Sequence, residues 1–576
     1  MSINISKQKR EDLLAKIKEI RTFISNAPQD ENTGNLLSYL SDLEKDINGK
    51  KYGLVFEEHR EEIDEVLDTH TPVLTENKDL FIDNGGQMNF LIEGDNLASL
   101  KLLEKTHKGK IDLIYIDPPY NTGKNSDEGG GFIYDDAFVD ENDLFIHSKW
   151  ISFMEKRLKI AKRLLSQDGV IFISIGKEEN ASLRILCDEI FGSKNILGQI
   201  VRRTKTTSFR GNYFALRLDY ILCYCTGSQF PTKFMDITDK SKYIKVETKG
   251  KYKGEIYKDD TAFYLSTLET RPNQRYWIEC PDGELVIPPG TTFPLFNADG
   301  ERATPNSGDG VWRWEVEQYK LKKEYLSFKK TKRSPLINKK GEQAHWNIYT
   351  KSYYREKKDN GNIPTELLLD FINRSGTKEL KDLNINFSFP KPSSLISYLI
   401  KITNKTKSIN ILDFFSGSGT TGHAVMKLNA EDGGNRKFIL CTNNENNICR
   451  DVTYERIKRV IDKENYSASL KYYKVDYIPI SDRMYYEYAD ELLLHIRELV
   501  ELENGVNFTG NNEIGIVLTE EELADFVANA DTLTKCKKLY MGHDILPTVK
   551  QEKDLQAHDI EISIIPDYYY RDLQEG

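Results

Sequence analysis

The chain has 576 residues, 39% of them hydrophobic, and a formal net charge of −10; it is too long for one compact domain, and its total charge does not favour a nucleic-acid partner. No apolar run approaches the length of about 20 residues that a membrane-spanning helix needs, and the first residues lack the apolar centre of a signal peptide, so we expect a cytoplasmic protein without a membrane span. The seven cysteines are scattered, without a CxxC pair or zinc-finger histidine spacing, so we predict reduced thiols and no metal site.

The first part of the chain changes from helices to alternating strands and helices. Residues 1–50 place apolar side chains at helical spacing in "EDLLAKIKEIRTFI" and "LLSYLSDLEKDI", which predicts a helical segment, and residues 51–88 resemble a connecting arm. Residues 89–228 alternate strands such as "IDLIYID" and "VIFISI" with helices, one of which we expect over 148–168, closed by Gly169. Such alternation predicts a mostly parallel sheet covered on both faces.

The second part of the chain interrupts that pattern and then returns to it. Residues 229–385 are rich in lysine, tyrosine and glycine, with short strand-like pieces, which predicts an inserted α+β domain. Residues 386–476 recover the α/β rhythm, so we expect them to complete the domain begun by residues 51–228. Residues 477–576 indicate a small C-terminal α/β domain. The predicted fold is α/β: a Rossmann-like, doubly wound, mostly parallel sheet with an insertion, an N-terminal helical segment and this C-terminal domain.

The segment "IDLIYIDPPYNTGK" places an acid, two prolines and an aromatic ring directly after a buried strand. Proline restricts φ to about −65°, so the turn after Asp117 is stiff and the main-chain carbonyl of Pro118 is aimed in advance. Pro119 continues the rigid turn, and Tyr120 offers a ring face for stacking. A strand end with a rigid structural turn is the alternative interpretation of this motif taken alone.

A second motif, "INILDFFSGSGTTGHAV", combines a strand, a glycine-rich turn and the start of a helix. Gly417 and Gly419 allow the backbone to turn tightly and approach a ligand, and the helix start supplies free N–H groups. The spacing of Gly417 and Gly422 superficially matches a phosphate-binding loop, but His423 stands where that loop needs lysine. We therefore do not expect ATP hydrolysis. A plain tight turn is the alternative.

Together the two motifs resemble those of amino-group DNA methyltransferases of the β arrangement. More narrowly, "YGLVFEE", "DPPYNTG", "RPNQRYWIECPDG", "GVWRW" and "IPDYYYRDL" resemble the modification (Mod) subunit of Type III restriction–modification systems, from about residue 52 onward. The resemblance implies a permuted methyltransferase fold, with residues 229–385 as target-recognition domain. It also implies S-adenosyl-L-methionine as cofactor, double-stranded DNA as substrate, a homodimer, and a separate restriction (Res) subunit with helicase and nuclease activity.

The first motif suits methylation of an exocyclic amino group, which is a poor nucleophile because its lone pair is delocalised into the ring. Acceptors on both N–H bonds favour a more tetrahedral nitrogen, and Asp117 and the Pro118 carbonyl can supply them. Tyr120 would stack on a base turned out of the helix. The sequence contains no Pro-Cys pair, which argues against methylation at carbon 5 of cytosine. Adenine N6 is the predicted target, and cytosine N4 is left open.

The resemblance also implies a set of cofactor contacts. Asp95 would lie near the adenine of the cofactor, Lys391 and Ser393 of "FPKPSSL" would border its methionine end, and either Asn443 or Glu445 would reach the ribose. Gly176 and Lys177 stand where such proteins usually carry two acids. The predicted cofactor-binding residues are Asp95, Lys391, Ser393, Asp413, Phe415, Ser416, Gly417, Gly419, Thr420, Asn443 and Glu445.

Basic and amide side chains in two regions are candidates for DNA contacts, since arginine pairs with guanine, asparagine or glutamine pairs with adenine, and lysine suits phosphates. The alternatives are a solvated basic face and, for "VWRW", a buried aromatic pair. A stand-alone methyltransferase, one acting on RNA or protein, and a silent DNA-binding subunit are the other functions considered. The predicted DNA-binding residues are Arg202, Arg203, Lys205, Arg210, Arg271, Asn273, Gln274, Arg275, Arg313, Lys332 and Arg333.

Overall fold

The computed structural model describes residues 5–26, 33–48, 56, 58–122, 145–207, 213–227, 233–236, 240–266, 271–358, 361–403, 405–480 and 494–566. The helices are α1 Ile5–Asn26, α2 Thr33–Asn48, α3 Glu62–Thr69, α4 Asn96–His107, α5 Ile146–Leu164, α6 Asn180–Cys187, α7 Val316–Leu321, α8 Tyr354–Lys358, α9 Asn373–Asp382, α10 Ser393–Ile402, α11 Thr420–Asp432, α12 Glu455–Glu464, α13 Ile496–Asn504, α14 Glu520–Ala528, α15 Ala530–Lys535 and α16 Val549–Ala557.

The strands are β1 His70–Glu76, β2 Gln87–Glu93, β3 Ile111–Ile116, β4 Leu165–Ile175, β5 Ile196–Arg203, β6 Leu218–Cys225, β7 Lys245–Val246, β8 Ile256–Ala262, β9 Tyr264–Leu265, β10 Ile278–Glu279, β11 Leu285–Ile287, β12 Val311–Trp312, β13 Leu326–Lys330, β14 Ile337–Asn338, β15 Trp346–Tyr353, β16 Leu367–Leu368, β17 Asn410–Asp413, β18 Lys437–Thr442, β19 Ala468–Pro479, β20 Ile514–Val517, β21 Lys538–Met541 and β22 Glu561–Ile564.

The chain forms two compact units. The first unit comprises residues 1–231, 365–398 and 406–576, and the second comprises residues 232–364 and 399–405. The central α/β sheet and the small C-terminal sheet both belong to the first unit. No helix in the described ranges combines the length and the apolar character needed to cross a membrane.

The first unit is built on a ten-stranded sheet with the order β1-β19-β2-β18-β17-β3-β4-β6-β5-β16. The central strands β2, β18, β17, β3 and β4 pair in parallel. Four successive residues of β3, Leu113 to Ile116, are buried, so side chains on both faces of the sheet are covered. The predicted Rossmann-like, mostly parallel sheet is confirmed.

The carboxyl ends of these central strands meet at one edge of the sheet. Leu412 of β17 is in register with Ile114 of β3, and Thr442 of β18 is in register with Glu93 of β2. Parallel strands that neighbour one another in register end at the same edge, whatever their order in the chain. The two motifs, which lie far apart in sequence, therefore follow adjacent strands.

Three boundaries differ from the sequence prediction. The insertion predicted over residues 229–385 ends earlier, because residues 365–385 belong to the first unit, where β16 pairs with β5. Helix α5 ends at Leu164 rather than at 168, because Leu165 adopts an extended conformation and begins β4. The predicted start of the C-terminal domain at residue 477 lies inside β19, and α13 contributes Leu499 and Val500 to the main core. The parallel sheet β20-β21-β22, with α14 to α16, forms the small α/β element predicted for the tail.

The second unit contains short strands around an aromatic core. Its largest sheet has the order β13-β15-β8-β7 and is antiparallel. Trp312 is fully buried and stacks on Phe263, and Trp314 meets the same ring edge-on. The motif "VWRW" therefore supplies core aromatics, the alternative considered for it from the sequence.

Candidate active site

A cavity of about 560 Å³ lies at the carboxyl edge of the central sheet, within the first unit. It is lined by residues from the turn after β3, the turn after β17 and the segment before α10. The acid of the first motif and the glycine turn of the second therefore face one space. The predicted site residues that line the cavity are Asp117, Pro118, Tyr120, Lys205, Lys391, Asp413, Phe415, Ser416, Gly417 and Thr420.

One carboxylate oxygen of Asp117 accepts a hydrogen bond, and the other has no partner among the residues described. Its Oδ2 accepts a hydrogen bond from Lys391 Nζ at 2.5 Å, and the same ammonium lies over the ring of Tyr120, 5.0 Å from the centroid. Its Oδ1 is buried, and no donor in the described ranges reaches it. The site thus presents a free acceptor next to an aromatic ring.

The rigid turn after Asp117 is held from behind by helix α5. The buried Trp150 indole donates to the Pro119 carbonyl at 2.8 Å. This bond occupies the second proline carbonyl, while Pro118 lines the cavity. Sequence inspection missed Trp150, because a tryptophan at an apolar helix position is indistinguishable from an ordinary core residue.

The glycine at position 176, just beyond β4, is explained by steric contacts. A Cβ added at Gly176 would lie 2.8 Å from Tyr120 Cδ2 and 2.6 Å from Glu178 Oε2. Only glycine therefore lets the end of β4 pack against the ring. Burial, together with the nearby Asp117 carboxylate, raises the pKa of the Tyr120 phenol well above its usual value, so the hydroxyl stays protonated. Tyr120 can stack but cannot serve as a base.

We expect Gly176→Ala to reduce kcat/KM for a DNA substrate about tenfold, because the new methyl group must displace the Tyr120 ring. Affinity for the cofactor should be unchanged. The matched control is Gly198→Ala, since a Cβ at Gly198 meets nothing within 4 Å. Equal kinetics for the two variants would show that the ring placement does not matter.

The glycine-rich turn adopts the backbone that the motif predicts. Gly417 and Gly419 have φ of 47° and 72°, in the left-handed region that favours glycine, and the Gly419 N–H donates to the Ser416 carbonyl at 2.7 Å. Ser416 Oγ is buried and has no partner among the residues described. The turn therefore offers an unpaired hydroxyl and a close backbone approach to whatever fills the cavity.

A buried arginine supports this turn from the opposite side. Arg456 donates to the Ser418 hydroxyl at 3.1 Å and to Thr420 Oγ1 at 2.8 Å, and it pairs with Glu379 at 2.9 Å. Ser393 donates to the same carboxylate through its N–H and its hydroxyl. Sequence inspection missed Arg456 and Glu379, because both lie on helices whose charged residues look solvent-exposed by pattern.

Asp413 at the end of β17 is a buried carboxylate. It accepts hydrogen bonds from Thr421 Oγ1 at 2.5 Å and from the Phe415 N–H at 3.1 Å. Burial raises the pKa of Asp413 to about 7 in spite of these donors, and the neighbouring Asp117 carboxylate adds to the rise. Asp413 therefore orders the turn and is half protonated near neutral pH.

The raised pKa of Asp413 predicts a pH dependence of stability. Between its unfolded value of 3.8 and its folded value of about 7, the native state binds the extra proton, so the free energy of unfolding falls as pH rises through this window. The change in the free energy of unfolding that Asp413 causes across this window is at most about 4 kcal/mol. We expect Asp413→Asn to flatten the denaturant-midpoint profile between pH 5 and 7, within that window.

The matched control for that experiment is Asp432→Asn on α11. Hydrogen bonding to Arg436 lowers the pKa of Asp432, so its contribution is lost as pH falls and not as pH rises. Removing Asp432 should leave the pH 5 to 7 slope of the wild type in place. An Asp413→Asn profile that keeps the wild-type slope would contradict the assignment.

Several predicted cofactor residues do not line the cavity. Asp95 caps α4, accepting from the Leu97 N–H at 2.7 Å, the alternative expected for an acid at a helix start. Ser393 is engaged by Glu379, and Gly419 packs against Thr453 rather than the cavity. The two ribose candidates lie beyond β18, at the same sheet edge: Asn443, whose buried Oδ1 is unpaired within the described chain, and Glu445, which is exposed.

Two predicted DNA contacts are wrong because the side chains are buried and committed to the protein. Arg202 pairs with Asp219 and donates to the Phe371 carbonyl at 2.8 Å. Arg275 donates to the carbonyls of Thr292 and Gly310, both at 2.6 Å. A fully buried guanidinium cannot contact bases or phosphates, so both arginines stabilise loops instead.

The other predicted DNA-binding residues are at least partly accessible, and Arg210 lies outside the described residues. Arg203 donates to the Leu369 carbonyl at 2.9 Å, and Asn273 accepts from Arg302 at 2.8 Å. The predicted DNA-binding residues that are exposed enough to contact nucleic acid are Arg203, Lys205, Arg271, Asn273, Gln274, Arg313, Lys332 and Arg333.

Comparisons with known proteins agree with this geometry. The DNA methylase family model for N6 and N4 methyltransferases matches residues 111–453. The Type III restriction-modification enzyme StyLTI Mod subunit of Salmonella typhimurium is 30% identical over 66% of this chain and 56% of its own length. The EcoPI Mod subunit of Escherichia phage P1 is 31% identical over 63% of this chain and 58% of its own length. The Type II methyltransferase M.KpnI of Klebsiella pneumoniae is 31% identical over 67% of this chain and 90% of its own length.

The match with the two Mod subunits therefore spans less than two thirds of their length, whereas the match with the Type II enzyme spans nearly all of it. The family model begins at the strand before Asp117 and ends beyond the glycine turn, so it contains both motifs that meet in the cavity. The chain belongs to the N6/N4 DNA methylase family.

Proposed function

We propose that this chain transfers a methyl group from S-adenosyl-L-methionine to the N6 amino group of an adenine turned out of duplex DNA. The observation that carries the proposal is the shared cavity of Asp117 and the glycine-rich turn at the carboxyl edge of the sheet. Ligands of doubly wound sheets bind at this edge. An acceptor for an amino group and a turn suited to a cofactor thus face each other.

The residues of the second motif fit the cofactor. The left-handed Gly417 opens the turn, the unpaired buried hydroxyl of Ser416 needs a polar partner, and the Phe415 ring supplies an apolar wall. When bound, S-adenosyl-L-methionine supplies an electrophilic methyl group on a sulfonium. Thr420, also at the cavity, completes the set that would hold it. Phosphate chemistry is disfavoured, since no lysine follows the turn at the required position.

The residues of the first motif fit the target base. The free Asp117 Oδ1 can accept one N–H of the amino group, and the Pro118 carbonyl can accept the other. Stacking on Tyr120 contributes about 1–3 kcal/mol for a base outside the helix. These contacts orient the nitrogen lone pair towards the methyl donor, and the proton can leave to water after transfer. Alignment and electrostatic stabilisation suffice without a covalent intermediate.

We also propose that the chain acts as the Mod subunit of a Type III restriction–modification system, as a homodimer with a separate Res subunit. The two Mod relatives support this role, and the second unit, with its exposed Arg313, Lys332 and Arg333, would read the target sequence. A stand-alone methyltransferase is the second candidate. It is favoured by the match to nearly the whole of a Type II enzyme.

Sequencing of modified bases in host DNA, with and without the gene, tests the reaction. N6-methyladenine at one sequence that disappears with the gene is the expected result. N4-methylcytosine, or no change in either base, would refute adenine methylation. Light scattering on the purified chain tests the dimer, and sequence-dependent DNA cleavage that needs both this chain and a second subunit would distinguish a Mod role from a solitary enzyme.

A further inference from the structure

The side chain of Lys391 fills the space between the two groups that would receive the target base. Its Nζ contacts Asp117 Oδ2 at 2.5 Å and lies over the Tyr120 ring at 5.0 Å from the centroid. The side chain is only 9% exposed, so the ammonium is held within the cavity and not extended into solvent. One cation therefore lies against both the carboxylate and the ring face.

The backbone of Lys391 is fixed, whereas its aliphatic stem is flexible. The Lys391 carbonyl accepts a hydrogen bond from Thr420 Oγ1 at 3.4 Å. Gly376 of α9 packs so closely that an added Cβ would lie 2.8 Å from that carbonyl oxygen. Any movement of the ammonium away from Asp117 would therefore come from rotation of the side chain and not from the segment before α10.

We infer that Lys391 is a positioning residue that holds Asp117 Oδ2 and covers the Tyr120 face, and that leaves both when the target adenine stacks there. The inference rests on the proposed function. It differs from the role implied by sequence resemblance, in which Lys391 borders the methionine end of the cofactor.

Two physical arguments require the ammonium to leave. A ring face covered by a cation cannot at the same time be covered by a base. In addition, the amino nitrogen gains positive charge as it takes the methyl group, and a neighbouring ammonium would oppose that charge. The free Asp117 Oδ1 gives the amino group an acceptor before Lys391 releases Oδ2, so the carboxylate keeps a partner throughout.

Steady-state kinetics of Lys391→Met separate the two roles. With duplex DNA that contains the methylation site, the variant should show a KM for DNA lower by about fivefold, because a competitor for the base site is gone, and an unchanged KM for S-adenosyl-L-methionine. A cofactor role predicts the reverse, a raised KM for S-adenosyl-L-methionine with the DNA value unchanged. The inference would be overturned by a raised KM for S-adenosyl-L-methionine with the KM for DNA unchanged, by no change in either KM, or by a variant that is folded but inactive.

Lys391→Arg provides a second test that does not depend on the folding of the methionine variant. A guanidinium can bind both carboxylate oxygens, Oδ1 included, so this variant should raise the KM for DNA. A KM equal to that of the wild type would count against the inference. Lys177→Met is the matched control. Lys177 is an exposed cation of the same cavity wall that does not contact Asp117, so its removal should not lower the KM for DNA.

Wild-type protein measured in parallel keeps the two proposals apart. If the wild type transfers no methyl group to any DNA, the proposed function fails. If the wild type is active and the Lys391 variants do not shift the KM for DNA as described, the proposed function stands and only the role of Lys391 is refuted.

Discussion

Asp117→Ala is expected to lower methyl transfer by about 10²- to 10⁴-fold while leaving DNA affinity within about twofold of the wild type. The carboxylate supplies the free acceptor, Oδ1, that holds the amino group. Without it the nitrogen has no charged partner as positive charge develops. DNA affinity depends on cationic and base-reading side chains elsewhere, so binding and turnover should separate.

The measurement is incorporation of labelled methyl groups into duplex DNA under single-turnover conditions, alongside a binding titration at fixed salt. Asp117→Asn is the closest replacement in shape, but it loses the charge and places a donor where an acceptor is needed, so it should also be strongly impaired.

Asp112→Ala is the matched control on the same strand. Asp112 accepts from the Asn410 N–H at 2.9 Å, at the opposite end of β3, and does not line the cavity. Its removal should cost some stability without changing the rate of methyl transfer at a temperature where the protein is folded. If Asp117→Ala turns over at a rate similar to that of Asp112→Ala, Asp117 does not hold the amino group.

The meeting of the two motifs could be predicted because it depends only on strand adjacency. Asp117 and Gly417 each follow a short apolar strand, and parallel strands that pair end at the same edge of a sheet. The tight turn could also be predicted, because glycine readily adopts the left-handed backbone that the structure shows at Gly417 and Gly419. These inferences use local sequence and general topology, and neither needs side-chain packing.

The two DNA-contact predictions that failed concern long basic side chains. Arg202 and Arg275 occur in basic stretches that look exposed, yet each is buried with carbonyl partners that come from distant parts of the chain. Asp95 could be assigned either to a cofactor or to a helix cap, and its bonds to the backbone support the cap. Which partner a polar side chain finds is decided by tertiary packing, which the sequence pattern does not record.

Arg456→Leu is expected to destabilise the protein by about 3 kcal/mol and to weaken cofactor binding by about tenfold. Burial lowers the pKa of Arg456 only to about 10, so the guanidinium is charged at neutral pH, and its loss removes the cation that Glu379 pairs with here. The expected loss of about 3 kcal/mol is at the low end for a buried ion pair. The reason is that the Glu379 side chain is 24% exposed and keeps its hydrogen bonds from Ser393.

The effect on cofactor binding follows from the bonds that Arg456 makes to the turn. With Ser418 and Thr420 no longer held by the guanidinium, the turn loses the geometry that lets the cavity accept a ligand before binding occurs. Denaturant unfolding and calorimetric titration with S-adenosyl-L-methionine measure the two effects separately. Arg459→Leu is the control one turn further along α12, since Arg459 is 40% exposed and bonds to the Leu383 carbonyl. If both variants bind the cofactor equally well, Arg456 supports the fold alone, and the turn keeps its shape through its glycines.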